Sequence, residues 1–194
     1  MNITTDQIKE LRDETGVSVM QCKKALEESL GDIEKAKIIL RKISKISADK
    51  KSGRTLGSGA IASYIHNTGT VGTLVELLCE TDFVARNDEF KALARDIAMH
   101  IAAAAPEFVK MEDVKEEDKV KAKELFMEEA KDKPKEMQDK IIEGKLAAYF
   151  AEKVLLEQVF IKNPEITIKG LLDEASQKFG ERTEVGRFKR FSLN

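Results

Sequence analysis

Apolar residues recur at helical spacing in the first part of the chain. Thr4 to Gln7 fits a capping box, with Ile3 and Ile8 placed as a hydrophobic staple. The helix it opens runs through Ile8 and Leu11 and stops at Gly16, a residue suited to a left-handed terminus. Ser18 to Gln21 repeats the capping pattern for a second helix carrying Met20, Cys22, Ala25 and Leu26, which ends near Gly31. Asp32 caps a third, with Ile33, Ala36, Ile39, Leu40 and Ile43 on its apolar stripe. This predicts a three-helix domain over 1–45, too small to bury much surface. Residues 45–59, KISADKKSGRTLGSG, are rich in glycine and basic residues and read as a mobile linker, placed at 46–59.

The period then changes from helix to strand. AIASYIH (60–66) and VGTLVELLCET (71–81) flank the turn-forming NTGT and predict a β-hairpin. Val71, Thr73, Val75, Leu77 and Cys79 share one mostly apolar face, leaving Leu74, Glu76, Leu78 and Glu80 on the other. Asn87 and Asp88 start a helix carrying Phe90, Leu93, Ala94, Ile97 and Ile101, which Pro106 ends. Residues 113–132 form a charge-dense helix. After Pro134, residues 135–157 form another, with Met137, Ile141, Ile142, Ala148 and Leu155 apolar. These two are expected to pack as an antiparallel hairpin. A short helix over 167–180 and a final strand over 185–193 complete the chain. Phe188 and Phe191 are three apart, so a bulge or burial on both sides is expected there. The fold class is therefore α+β: a helical head, a linker, and a 60–194 core with a small antiparallel three-stranded sheet, packing helices and the 113–157 hairpin.

Composition narrows the function. Lys and Arg total 33 against 35 Asp and Glu among 194 residues. This balance argues against direct nucleic-acid binding, which usually needs a basic excess. Cys22 and Cys79 form no Cys-x-x-Cys pair, so a reducing compartment is the simplest reading. The polar N-terminus lacks the apolar core of a signal peptide. No stretch approaches the roughly 20 apolar residues of a membrane helix, so a soluble cytoplasmic protein without membrane contact is expected. No catalytic, cofactor or metal motif is found. Gly53 to Gly59 lacks the Lys-Ser/Thr ending of a phosphate loop. His66 and His100 carry no metal-ligand spacing.

One segment resists a purely structural reading: Thr81-Asp82-Phe83-Val84-Ala85-Arg86-Asn87-Asp88. Phe83 falls in a short strand-to-helix connection. It either plugs the core, with Asp82 capping a turn, or protrudes with Asp82 as a wedge for a partner.

The run TDFVARND resembles the signature of the elongation factor Ts family, the exchange factors of elongation factor Tu. Near the N-terminus, LRDETGVSVMQCKKALEES with GDIEKA resembles that family's ubiquitin-associated-like domain. IAMHIAAAAPEFV (97–109), KPKEMQDKIIEGKL (133–146) and GRFKRFSL (186–193) follow in family order. The longest family members have a duplicated core where this chain has one core unit. A homodimer would give a short member its second surface. The resemblance implies a guanine-nucleotide exchange factor, not an enzyme, whose Thr81, Asp82, Phe83 and Val84 push beside the nucleotide and Mg²⁺ of elongation factor Tu. It also matches Arg12 and Met20 to partner-facing positions, although Met20 could serve the small helical core and Arg12 could be merely solvated. His100 reads either as a satisfied surface histidine or as a partner contact. The alternative function is a non-catalytic adaptor binding partners through the helical head.

Overall fold

A computed structural model describes residues 3–131 and 134–193. Helices α1 (Thr5–Thr15), α2 (Val19–Glu28) and α3 (Ile33–Lys51) precede strands β1 (Ser58–Ile65) and β2 (Val71–Cys79). A single turn, α4 (Asp82–Ala85), leads into α5 (Asp88–Ala104). Helices α6 (Glu116–Ala130), α7 (Lys135–Lys153) and α8 (Ile168–Phe179) follow, and β3 (Glu184–Ser192) closes the chain. The three strands form one sheet in the order β1-β2-β3. The fold is α+β, with a small antiparallel sheet as expected.

The chain forms two compact units. The first takes the chain up to Ile61, with Glu76–Leu93 and Lys169–Val185. The second takes Ala62–Val75, Ala94–Ile168 and the chain from Gly186.

In the first unit, local signals set the helical head. Thr4 and Gln7 close both bonds of the capping box. Gly16 ends α1 at φ 66°, a left-handed conformation that costs a glycine little. Ser18 accepts from the Gln21 N–H, and its hydroxyl donates back to the Gln21 side chain. Asp32 accepts from the Lys35 N–H, and that bond lowers its pKa. Leu11, Val17, Cys22, Ala25, Leu26, Ala36 and Leu40 make the buried cluster.

The stretch read as a linker is shorter than expected. Helix α3 continues to Lys51, because no glycine or proline interrupts it before Gly53. Its last turn is anchored: the buried Lys51 donates from Nζ to the Ser176 carbonyl and the Ser47 hydroxyl, both at 2.9 Å. Strand β1 begins at Ser58, so only 52–57 connect the two elements.

In the second unit, Phe126 and Tyr149 meet edge to face at 5.8 Å between ring centroids. With Ala122, Leu146, Phe150 and Val154 they fasten α6 to α7 as an antiparallel hairpin. Met137 and Ala148, expected among the apolar contacts, are exposed instead, since the aromatic residues occupy the seam. Residue 132, included in the expected helix, lies outside the described residues.

Burial along β2 follows the expected alternation, with Thr73, Val75, Leu77 and Cys79 inward. Thr73 donates to the Ala98 carbonyl of α5 at 2.7 Å, and Arg190 of β3 donates to the Ala102 carbonyl at 3.1 Å. Arg190 therefore takes the helix-facing side of β3, and Phe191 takes the opposite, exposed side. Phe188 and Phe191 need no bulge, because each occupies its own face and neither is fully buried.

Candidate functional site

The corner after β2 is built within the first unit. Thr81 has extended backbone (φ −123°, ψ 157°) and stands at the N-cap of α4. A threonine there normally accepts from the helix's own N–H groups. Here it makes no such bond, and its hydroxyl donates to Glu181 at 2.6 Å. The other carboxylate oxygen of Glu181 accepts from the backbone N–H groups of Glu80 (3.1 Å) and Thr81 (3.0 Å). In return, the Glu80 carboxylate accepts from the Arg182 N–H at 2.6 Å and from the Arg54 guanidinium at 3.1 Å. Those donors hold the Glu80 pKa below the usual carboxylate value. The end of β2 and the turn before β3 thus clasp one another.

Beyond the clasp, α4 is one turn with two faces. Val84 and Ala85 point inward, at 5 % and 8 % exposure. Phe83 points into water at 81 % exposure. Asp82 lies on the same outward side and pairs with Arg86 at 3.0 Å, both side chains being mostly solvated. Asn87 then accepts from the Glu89 N–H at 2.8 Å and opens α5. An aromatic ring left in water forgoes about 1.5–3 kcal/mol of burial. Two inward residues already fill the space beneath this turn.

Of the four residues matched to the family signature, Asp82 and Phe83 face outward, Thr81 faces Glu181, and Val84 faces inward. Val84 is buried in this chain, beneath the outward Phe83. Arg12 on α1 and Met20 on α2 are exposed, Met20 at 67 %. Met20 is therefore not part of the small helical core. His100 is a correction, because it is fully buried within the second unit. Its Nε2 pairs with the Gln158 side-chain oxygen at 2.9 Å, and its Nδ1 accepts from the Ile161 N–H at 3.3 Å. These bonds require the neutral ring protonated on Nε2, and burial lowers its pKa. The segment after Gln158 covers the edge of α5 that spacing had left open.

Sequence reasoning missed Glu181, Arg182 and Arg54. Glu181 lies 100 residues from Thr81. Its one local signal is Gly180, which leaves α8 at φ 74°. Among the described residues, no group of three or more His, Cys, Asp or Glu could hold a metal ion. None of the described helices is long and apolar enough to cross a membrane.

The chain is α+β, and its clasped corner holds the Phe83 ring in water. Comparison with known proteins gives its family. The model of the family Elongation factor TS matches residues 2–194. Elongation factor Ts of Carboxydothermus hydrogenoformans is 51 % identical over 193 residues, covering 98 % of this chain and 89 % of that protein. That of Coprothermobacter proteolyticus is 49 % identical, covering 100 % and 99 %. That of Thermotoga neapolitana is 48 % identical, covering 100 % and 98 %. The chain belongs to the elongation factor Ts family and so stands among the translation elongation factors of protein biosynthesis.

Proposed function

We propose that this chain is the guanine-nucleotide exchange factor of elongation factor Tu in the cytoplasm, acting by binding rather than by bond-making catalysis. The observation that carries this reading is the exposed Phe83 beside the exposed Asp82, on a turn whose other residues are buried. The ring enters the GTPase next to its nucleotide site, and Asp82 hydrogen-bonds beside it. The elements it displaces no longer hold Mg²⁺, which otherwise bridges and neutralises the phosphate oxygens.

Linkage sets the energetic requirement. The factor must bind the empty GTPase better than the loaded one, and the nucleotide then binds the complex correspondingly less well. Burying Phe83 supplies about 1.5–3 kcal/mol, or roughly ten- to a hundredfold in affinity. Further contacts must add to it, and the exposed Arg12 and Met20 of the head are the proposed source. The head with α3 extended to Lys51, a connection over 52–57 and a core from β1 onward are the proposed division of labour. The experiment is release of labelled GDP from elongation factor Tu with and without this protein. Acceleration is expected, and an unchanged off-rate would end the reading.

A homodimer belongs to the same proposal. In the second unit, Ile65, Leu74, Phe191 and Leu193 are exposed, apolar side chains that a second copy would cover. Sedimentation equilibrium should find a dimer that Phe191→Glu dissociates; a monomeric parent protein would rule it out.

A further inference from the structure

We infer that Glu181 is the positioning residue of the exchange corner, a role that rests on the proposed exchange function. Its carboxylate takes three hydrogen bonds, from the Glu80 N–H, the Thr81 N–H and the Thr81 hydroxyl. Those donors belong to the two residues immediately before Asp82 and Phe83. The Thr81 carbonyl in turn receives the first bond of α4, from the Ala85 N–H at 3.2 Å. Fixing Thr81 therefore fixes the direction in which the turn leaves the sheet, and with it the direction of the Phe83 ring.

Glu181 is itself held on both sides. Gly180 turns the chain out of α8 at φ 74°. Arg182 donates its N–H to Glu80 at 2.6 Å and its guanidinium to the Arg54 carbonyl at 2.6 Å. Thr183 donates its N–H to the Ser176 hydroxyl at 3.1 Å. The carboxylate is thus mounted on a turn that hydrogen bonds hold on both sides.

The bonds lie near the surface, so water can replace them with little loss of stability. Orientation is what water does not replace. A wedge that must enter a site in one direction is sensitive to displacement of about 1 Å, as positioned groups generally are. Removing Glu181 should therefore slow the release step while leaving encounter with the GTPase intact.

The test measures steady-state GDP exchange on elongation factor Tu with the full chain, its Phe83→Ala variant, Glu181→Ala, Glu181→Gln and Thr81→Val. Glutamine keeps a carbonyl oxygen for the two backbone N–H groups, so it should retain more than about half of the parent kcat. Glu181→Ala should lower kcat about tenfold with KM within about twofold. Thr81→Val should lower kcat less and should not add to Glu181→Ala, since both remove the same bond. Amide exchange at Glu80 and Thr81 should speed up in Glu181→Ala. An unchanged kcat in Glu181→Ala, or equal loss in the alanine and glutamine variants, would overturn the role. If Glu181→Ala does not fold, Glu181→Ser, which is too short to reach the Glu80 and Thr81 N–H groups, takes its place, and an unchanged kcat in that variant would overturn the role. A parent protein that fails to speed GDP release from elongation factor Tu would refute the exchange reading itself. An active parent, an inactive Phe83→Ala and a fully active Glu181→Ala would refute only the role of Glu181.

Discussion

The 81–86 corner and the His100 site treat their side chains in opposite ways. At the corner an apolar ring stands in water on a backbone whose N–H groups are clasped by Glu181. At the other site a titratable ring is sealed from water with both nitrogens satisfied. Burial and hydrogen bonding stabilise a fold, so His100 is explained by the fold alone. Phe83 is not, because it forgoes burial on a rigid element. The difference teaches where to look for binding: at groups whose placement costs free energy in the isolated chain. Exposure of a single apolar residue is common, and it is the clasp beneath Phe83 that sets it apart.

The largest expected effect separates the two sites by function. Phe83→Ala should lower stimulated GDP release roughly ten- to a hundredfold. Its melting temperature should stay near that of the parent protein, because the ring contributes little to the isolated fold. A large loss of stability without loss of exchange would reverse the roles assigned to the two regions.

Next comes His100→Ala. It leaves Gln158 and the Ile161 N–H without their partner, at a cost of about 1–3 kcal/mol by chemical denaturation. Exchange measured well below the melting transition should remain near normal. A stable variant with poor exchange would return His100 to the partner-facing list.

A smaller effect is the dependence on pH. The folded His100 resists protonation, so its pKa lies below the unfolded value of about 6.5. Below about pH 6.5 the unfolded chain takes up a proton that the folded chain refuses, and stability falls with falling pH. Asp173 acts with the opposite sign. Burial raises its pKa to about 6, with Asp49 adding to the rise and Lys169 and Lys45 opposing it. Its contribution is fully present below the unfolded carboxylate value and is lost as pH rises to about 6. Urea melts between pH 7.5 and 5.5 should therefore show a shallower acid loss in His100→Gln than in the parent protein. Asp173→Asn should gain relative stability as pH rises from about 4 to 6. Parallel curves for either variant and the parent would refute the assignment.

The smallest effect is expected at Arg86→Ala. The Asp82–Arg86 pair is exposed and four residues apart on one turn, so its loss should change stability by no more than about 0.5 kcal/mol. Thermal melts check this. A larger change would mean that the pair, and not the clasp, holds the corner.

Local signals were legible in the sequence. The Thr4 and Gln7 box, the Ser18 and Asp32 caps and the Gly16 terminus all act within a few residues, and each forms. The β2 alternation was equally plain. The family signature also marked the corner. Spacing alone could not tell whether Phe83 faces in or out, because a one-turn helix has no period to read. The structure resolves it through Val84 and Ala85, which take the inward places. What stayed hidden depends on distant chain. Gln158 and Ile161 cover His100 from 58 and 61 residues away. Glu181 clasps Thr81 from 100 residues away. The tail of α3 was misread because its lysines and serines suggest a solvated linker, whereas Lys51 is buried on Ser176.

Phe83 is proposed to fit the empty GTPase better than the loaded one. The most direct measurement is the affinity of the parent protein and of Phe83→Ala for elongation factor Tu, both nucleotide-free and GDP-bound. A loss of about tenfold or more is expected for the empty form and little change for the loaded form. Equal losses for both forms would contradict it.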